Sequence, residues 1–218
     1  VTNEFGTTAT ATAALTVTKK AQTLTLEPVG TKRYGDAPFQ LVGESDAGLP
    51  VAYASSDPTV ATVTEDGLVT VLHPGETTLT ASQPGHADFA AAEPVERLLI
   101  VEKRPLTVTA LDRSIVYGEE ILAFEIAFDG LLDGDTAADI DTLPVAAPEA
   151  LDTDGPIIPA GGADDLYRFD HYQNGQLTVQ PAALTLRVED TERPIRAENP
   201  QFDVLAEGLV AGDSLEDL

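Results

Sequence analysis

Short runs of alternating apolar and polar residues, none longer than a strand, recur along this chain; Val51 to Ala54, Val60 to Val63, Leu68 to Leu72 and Thr77 to Ala81 are examples. Alternation with a period of two puts successive side chains on opposite faces of a strand. Turn signals separate the runs: Tyr34-Gly35-Asp36, Ala47-Gly48-Leu49-Pro50, Ser56-Asp57-Pro58, Glu65-Asp66-Gly67, His73-Pro74-Gly75 and Gln83-Pro84-Gly85. Gly supplies positive φ there, Pro fixes φ, and Asp and Ser bond the local backbone. Strands this short and this regularly punctuated predict a β-sandwich over residues 21–103. Ahead of it, a turn at Asn3-Glu4-Phe5-Gly6 leads through small residues to Leu15-Thr16-Val17, read as a closing strand.

The later part of the chain repeats itself at a fixed offset of 78 residues without a gap. Leu106, Thr107, Asp112, Phe124, Gly130, Leu131, Gly134 and Asp135 recur as Leu184, Thr185, Asp190, Phe202, Gly208, Leu209, Gly212 and Asp213. Such a period marks a tandem array of folded modules. Within the first copy, Asn174-Gly175 between two β-prone runs predicts a tight hairpin, and Asp135 to Ile140 predicts one helical turn with Asp135 as its N-cap. The second copy carries Ile195-Arg196 where Tyr117-Gly118 stands in the first, so its turn there is expected to differ. From Leu99 to Leu106 and from Leu177 to Leu184 the spacing is seven residues, each passing a proline, Pro105 or Pro181. Links so short and stiff predict modules stacked end to end.

The segments Gly48-Leu-Pro-Val-Ala-Tyr-Ala-Ser-Ser-Asp-Pro-Thr-Val-Ala-Thr-Val63, Gly67-Leu-Val-Thr-Val and Gly75-Glu-Thr-Thr-Leu-Thr-Ala81 resemble the bacterial Ig-like (Big) domains. Leu-Thr-Val-Thr from Leu106, then Tyr117-Gly118, the Gly130 to Thr136 loop and Gly175-Gln-Leu-Thr-Val179 resemble the MBG domain of the Tyr-Gly-x type, and Tyr34-Gly35-Asp36 resembles the same turn. The opening residues are similar to the last two strands of an Ig-like domain. The expected map is therefore residues 1–20, the end of an incomplete Ig-like domain; 21–103, a bacterial Ig-like domain; 104–181, an MBG domain; and 182–218, the start of a second, truncated one. The resemblance implies mainly β structure, an Ig-like sandwich followed by a β-grasp-like MBG repeat with one short helical turn, in a rod-like array. It also implies Ser55, Ser56 and Asp57 as scaffold, and tandem domains of large secreted bacterial surface proteins.

Charge narrows the partners. The formal net charge is -25, which repels phosphate and argues against nucleic acid, whose binding needs a basic surface. Thirteen acidic residues and no Lys or Arg lie between Ser114 and Tyr167, read as a solvated face. Cys is absent, which removes disulfides and thiolate sites, and no apolar run is long enough to span a membrane. Met is absent too, as expected of an internal piece of a longer protein.

Candidate chemistry is sparse. His73, His86 and His171 lack the paired spacing of a metal site, and no nucleophile motif or phosphate-binding glycine loop is present, so the chain reads as non-enzymatic. Lys stands only at Lys19, Lys20, Lys32 and Lys103, and Asn only at Asn3, Asn174 and Asn199, which argues against a Lys to Asn crosslink. Asp133, Asp135 and Asp139 alternate along one loop, the kind of oxygen-rich run that suits calcium, and form the candidate metal site with calcium the candidate cofactor. Asp152, Asp154, Asp164 and Asp165 are looser candidates.

The function expected is that of stalk or adhesin repeats at the bacterial cell surface. The alternatives are a subunit of an extracellular filament or sheath, and a module that binds glycan or protein. The expected partners are neighbouring domains of the same long chain, then host, matrix or self surfaces. Solution scattering from residues 21–181 is expected to show an elongated particle; a compact one with freely reorienting modules would overturn the stiff-link reading.

Overall fold

The computed structural model of the chain describes residues 16–217, so the closing strand expected up to Val17 lies almost wholly outside the described residues. The chain divides into two compact units, one up to Glu102 and one from Lys103. The first contains β1 (Leu24–Leu26), β2 (Lys32–Arg33), β3 (Phe39–Gln40), β4 (Gly43–Ser45), β5 (Ala52–Ser55), β6 (Ala61–Val63), β7 (Leu68–Val71), β8 (Gly75–Ser82) and β9 (Val95–Glu102). A sheet ordered β2-β9-β8-β5, a second ordered β3-β7-β6 and the pair β1-β4 enclose one core. Alternation builds that core: Leu79 and Ala81 of β8 and Leu99 and Val101 of β9 meet Ala61 of β6 and Val69 and Val71 of β7. This is the sandwich that the short strands predict. Each fully buried leucine contributes about 1.5–3 kcal/mol.

One polar group sits inside that apolar row. Thr77 is buried, and its hydroxyl accepts from the Asp57 amide at 2.9 Å and bonds the Ser55 hydroxyl at 2.8 Å. The Ser56 hydroxyl accepts from the Thr78 amide at 2.8 Å. Ser55, Ser56 and Asp57 thereby tie the end of β5 to β8, as scaffold.

The second unit opens with β10 (Arg104–Ala110), β11 (Arg113–Val116), β12 (Ile126–Asp129), β13 (Val145–Pro148), β14 (Gly155–Ala160), β15 (Tyr167–Gln173) and β16 (Gly175–Gln180). One sheet is ordered β12-β10-β15 and the other β11-β16-β14-β13. Ile115, Ile157 and Leu177 of the second sheet bury against Ala110 of the first. β10 runs parallel to β15, and β11 runs parallel to β16. Two neighbouring ribbons thus leave one sheet together and enter the other together.

This geometry corrects the hairpin expected at Asn174-Gly175. β15 and β16 belong to different sheets and do not pair. Neither Asn174 nor Gly175 has the positive φ that a primed two-residue turn requires at both positions. Glycine is needed there because a Cβ on Gly175 would lie 2.6 Å from the Ala110 carbonyl oxygen and 2.7 Å from that of Leu111, where the partner ribbon turns the same corner. The Gln176 amide then donates to the Asp112 carboxylate at 2.8 Å, fastening the two corners together.

The expected helical turn is present as a single 3-10 turn, Ala137–Asp139, with its cap moved by one residue. Thr136, not Asp135, is the N-cap: its hydroxyl accepts from the Ala138 amide, and the Asp139 carboxylate accepts from the Thr136 amide at 2.8 Å. That reciprocal box satisfies two end amides, which an Asp135 cap would not. The turn buries no residue, so it covers no sheet face. A second sheet covers the first where a β-grasp arrangement would place a helix.

The second copy holds β17 (Thr185–Val188), β18 (Val204–Glu207) and a 3-10 turn, Leu215–Asp217. Thr185 pairs with Glu207 as Thr107 pairs with Asp129, so strands and register repeat at the offset found in the sequence.

Replacing Gly175 by Ala is expected to destabilise the second unit by about 1–3 kcal/mol, because the added methyl meets backbone and not a yielding side chain. Urea unfolding of the full chain reads this; an unchanged midpoint would show that the corner is looser than its contacts indicate.

Candidate functional site

Two of the three carboxylates singled out for calcium serve separate structural tasks. Asp135 is half-buried and accepts from the Tyr167 hydroxyl, which in turn accepts from the Leu132 amide at 3.1 Å. Asp139 closes the capping box, and its bonds from the Thr136 hydroxyl and amide hold its carboxyl below the ordinary carboxylate range. Asp133 is exposed. Among the described residues no three His, Cys, Asp or Glu side chains are arranged to hold a metal ion. The loop is shaped by hydrogen bonds that the protein supplies itself.

Two of the looser candidates, Asp164 and Asp154, act on backbone. Asp164 is buried, and its carboxylate accepts from the Leu166 amide at 2.7 Å, the Tyr167 amide at 2.8 Å and the Asp141 amide at 3.2 Å. Asp141 returns the bond by accepting from the Asp165 amide at 3.2 Å, and paired bonds between Thr142 and Ala163 continue the seam. Asp154 accepts from the Val179 amide at 2.7 Å. The Lys103 ammonium donates to the Asp164 carbonyl at 2.7 Å. The histidines stand apart: His73 bonds the Thr59 carbonyl, and His171 lies beside Asp170.

The most built feature outside the cores is the Tyr-Gly turn. After β11, the Glu119 amide donates to the Val116 carbonyl at 2.9 Å across Tyr117-Gly118, and Gly118 has φ 83°, the positive value that a type II turn needs at its third position. The Glu119 carboxylate reaches back to accept from the Val116 amide at 3.1 Å. The first unit contains the same device: Asp36 to Arg33 at 3.0 Å across Tyr34-Gly35, φ 81°, with the Asp36 carboxylate accepting from the Arg33 amide at 2.9 Å.

At Ile195-Arg196 the expected difference in turn is corrected. The Ala197 amide donates to the Pro194 carbonyl at 3.1 Å, and Arg196 takes φ 69° in the place of the glycine. A non-glycine residue there costs about 1–2 kcal/mol. Pro194 has no amide to clamp, so Ala197 can replace the acid.

Tyr117 and Gly118 also meet the second copy. Gly118 lies under Val210, and the Tyr117 hydroxyl donates to the Asp213 carboxylate at 3.2 Å. Val179, Pro181, Leu184 and Leu209 line the groove between them. Of these, Leu184, Leu209 and Asp213 recur at the 78-residue offset, and recurrence does not show that the turn of one copy faces the loop of the next.

Comparison with known proteins agrees with the two resemblances in order and position. Residues 40–84 match the bacterial Ig-like domain (group 2), and residues 106–178 match the MBG domain (YGX type). Both are non-catalytic, structural or adhesion-type families. No curated protein matches the chain. Among solved structures, Drosophila N-cadherin EC1-3 is 10% identical with a TM-score of 0.28, over 75% of this chain and 68% of that one. The S-layer protein rSbsC is 10% identical with a TM-score of 0.30, over 91% of this chain; the chain spans 39% of that protein's length. No helix among the described residues is long and apolar enough to cross a membrane.

Melting in millimolar calcium and in sodium chloride of matched ionic strength is expected to shift equally, as screening of the acidic stretch requires. Asp135→Ala is expected to cost about 1–3 kcal/mol in either salt, because it strips the acceptor from the Tyr167 hydroxyl. A stabilisation specific to calcium and abolished by Asp135→Ala would place a cation in the loop instead.

Proposed function

We propose that this chain is a repeat segment of a large secreted bacterial cell-surface protein, in which its domains serve as stalk or adhesin repeats. The observation that carries the reading is the reiteration of one MBG hairpin, loop and turn at a constant offset, behind a bacterial Ig-like domain. A module whose opening and closing strands run parallel takes the chain in at one end and releases it at the other. That connectivity suits end-to-end propagation. The conspicuous polar clusters around Thr77, Asp135 and Asp164 act on the protein's own backbone and hydroxyls, as a spacer's would.

Brief protease treatment of intact source cells, followed by mass spectrometry, tests the reading. Peptides of this segment are expected in the released fraction before any cytoplasmic marker appears. Their appearance only after lysis would overturn a surface location.

A further inference from the structure

The Tyr-Gly turn has two features that its own module does not require. Tyrosine at the second position of a type II turn has no role in forming the turn, since the copy with Ile195 makes the same hydrogen bond. Glycine at the third position is favoured by its φ, yet Arg196 adopts a similar value. What distinguishes Gly118 is its neighbour: a Cβ built on it would lie 2.4 Å from one methyl of Val210 and 2.6 Å from the other. A side chain there would require Val210 or the turn to shift. The Tyr117 hydroxyl meets the Asp213 carboxylate 3.2 Å away, at the far end of the same Gly208 to Asp213 loop.

We propose that the Tyr-Gly turn of one MBG module is the socket in which the Gly-Leu-x-x-Gly-Asp loop of the following module seats, and that the second copy, with Ile195-Arg196, offers no such socket to a module of its own kind. The inference rests on the reading of the chain as tandem repeats. Two contacts define the fit: a shape contact, Val210 into the space above Gly118, and a polar one, Tyr117 to Asp213. The loop aspartate has two carboxylate oxygens, so it can serve both neighbours. Asp135 in the first copy accepts from Tyr167 of its own module, and Asp213 in the second accepts from Tyr117 of the preceding module. The second copy fails both criteria. Ile195 has no hydroxyl, and Arg196 carries a side chain where the socket needs none. Coupling of this kind reaches the second copy and is not passed on through it.

The second copy also supplies the variant that tests the idea. Its Ile-Arg pair closes the same turn, so the double substitution Tyr117→Ile with Gly118→Arg in the full chain is expected to leave the first MBG module folded. Hydrogen exchange followed by mass spectrometry is the readout. Amides from Gly208 to Asp213, including the Asp213 amide bonded to the Val210 carbonyl, are expected to exchange about tenfold faster. The amides of the β14 and β16 segments should keep their protection. Val210→Asp attacks the contact from the other side without touching the turn, and is expected to give the same local loss. Were Tyr117→Ile with Gly118→Arg to unfold the first module, Val210→Asp alone would decide. Unchanged exchange from Gly208 to Asp213 in Val210→Asp would overturn the proposal.

Discussion

The module depends on the parallel pairing of its opening ribbon with its closing one. Parallel neighbours cannot be joined by a short turn, and here everything between Val116 and Tyr167 serves as the crossover, while β10 and β11 wait for β15 and β16. The first unit closes in the same way, with β2 parallel to β9. Local contacts alone therefore stabilise little, and the core forms only when the chain has returned. The same pairing requires both ribbons to change sheets at one point, which makes Gly175 indispensable: two backbones turn a shared corner with no room for a Cβ between them.

With 37 acidic residues against 12 Lys and Arg, most carboxylates must be placed by other partners, and the loops show how. Of the thirteen acids between Ser114 and Tyr167, Glu119, Asp139, Asp141, Asp154 and Asp164 accept from backbone amides, and Asp135 accepts from a tyrosine hydroxyl. A charged acceptor strengthens a hydrogen bond roughly twofold over a neutral one, so these groups fix loops that have little apolar surface to bury. Asp36, Asp46 and Asp57 do the same in the first unit. Local bonds from Thr59 to Asp57, and from Thr23 to Asp46, hold both carboxyls below the ordinary range.

Features with a local cause were legible in the sequence. β5, β6, β7 and β8 lie within a residue or two of the alternating runs, because alternation is itself the signature of a half-buried strand. The 78-residue period reappears as an identical register. Features fixed by distant partners were not legible. Asn174-Gly175 has the composition of a hairpin and the geometry of a corner, because the decisive contact is with Ala110 and Leu111, more than sixty positions earlier. Asp164 resembled a loose ligand, and only the fold shows that it is buried among three amides. Thr77 gave no signal at all, since a threonine in an alternating strand is ordinary until its hydroxyl is found inside. At Asp133, Asp135 and Asp139 the spacing suggests convergence, and only the fold shows that Asp135 bonds Tyr167 and Asp139 bonds Thr136.

The second copy shows which features of the module repeat with the sequence. β17 and β18 hold the register of β10 and β12, so strand pairing recurs at the same offset. Burial in the first copy comes from strands far along the chain: Val108 and Ala110 are 0% and 2% exposed, and Ala110 packs against Ile157 and Leu177. The second copy meets the first through Val210 over Gly118 and Asp213 on Tyr117. Tandem modules of this kind are stabilised partly by their neighbours, and the Tyr117-Gly118 turn that receives the loop of residues 208–213 ties the second copy to the first.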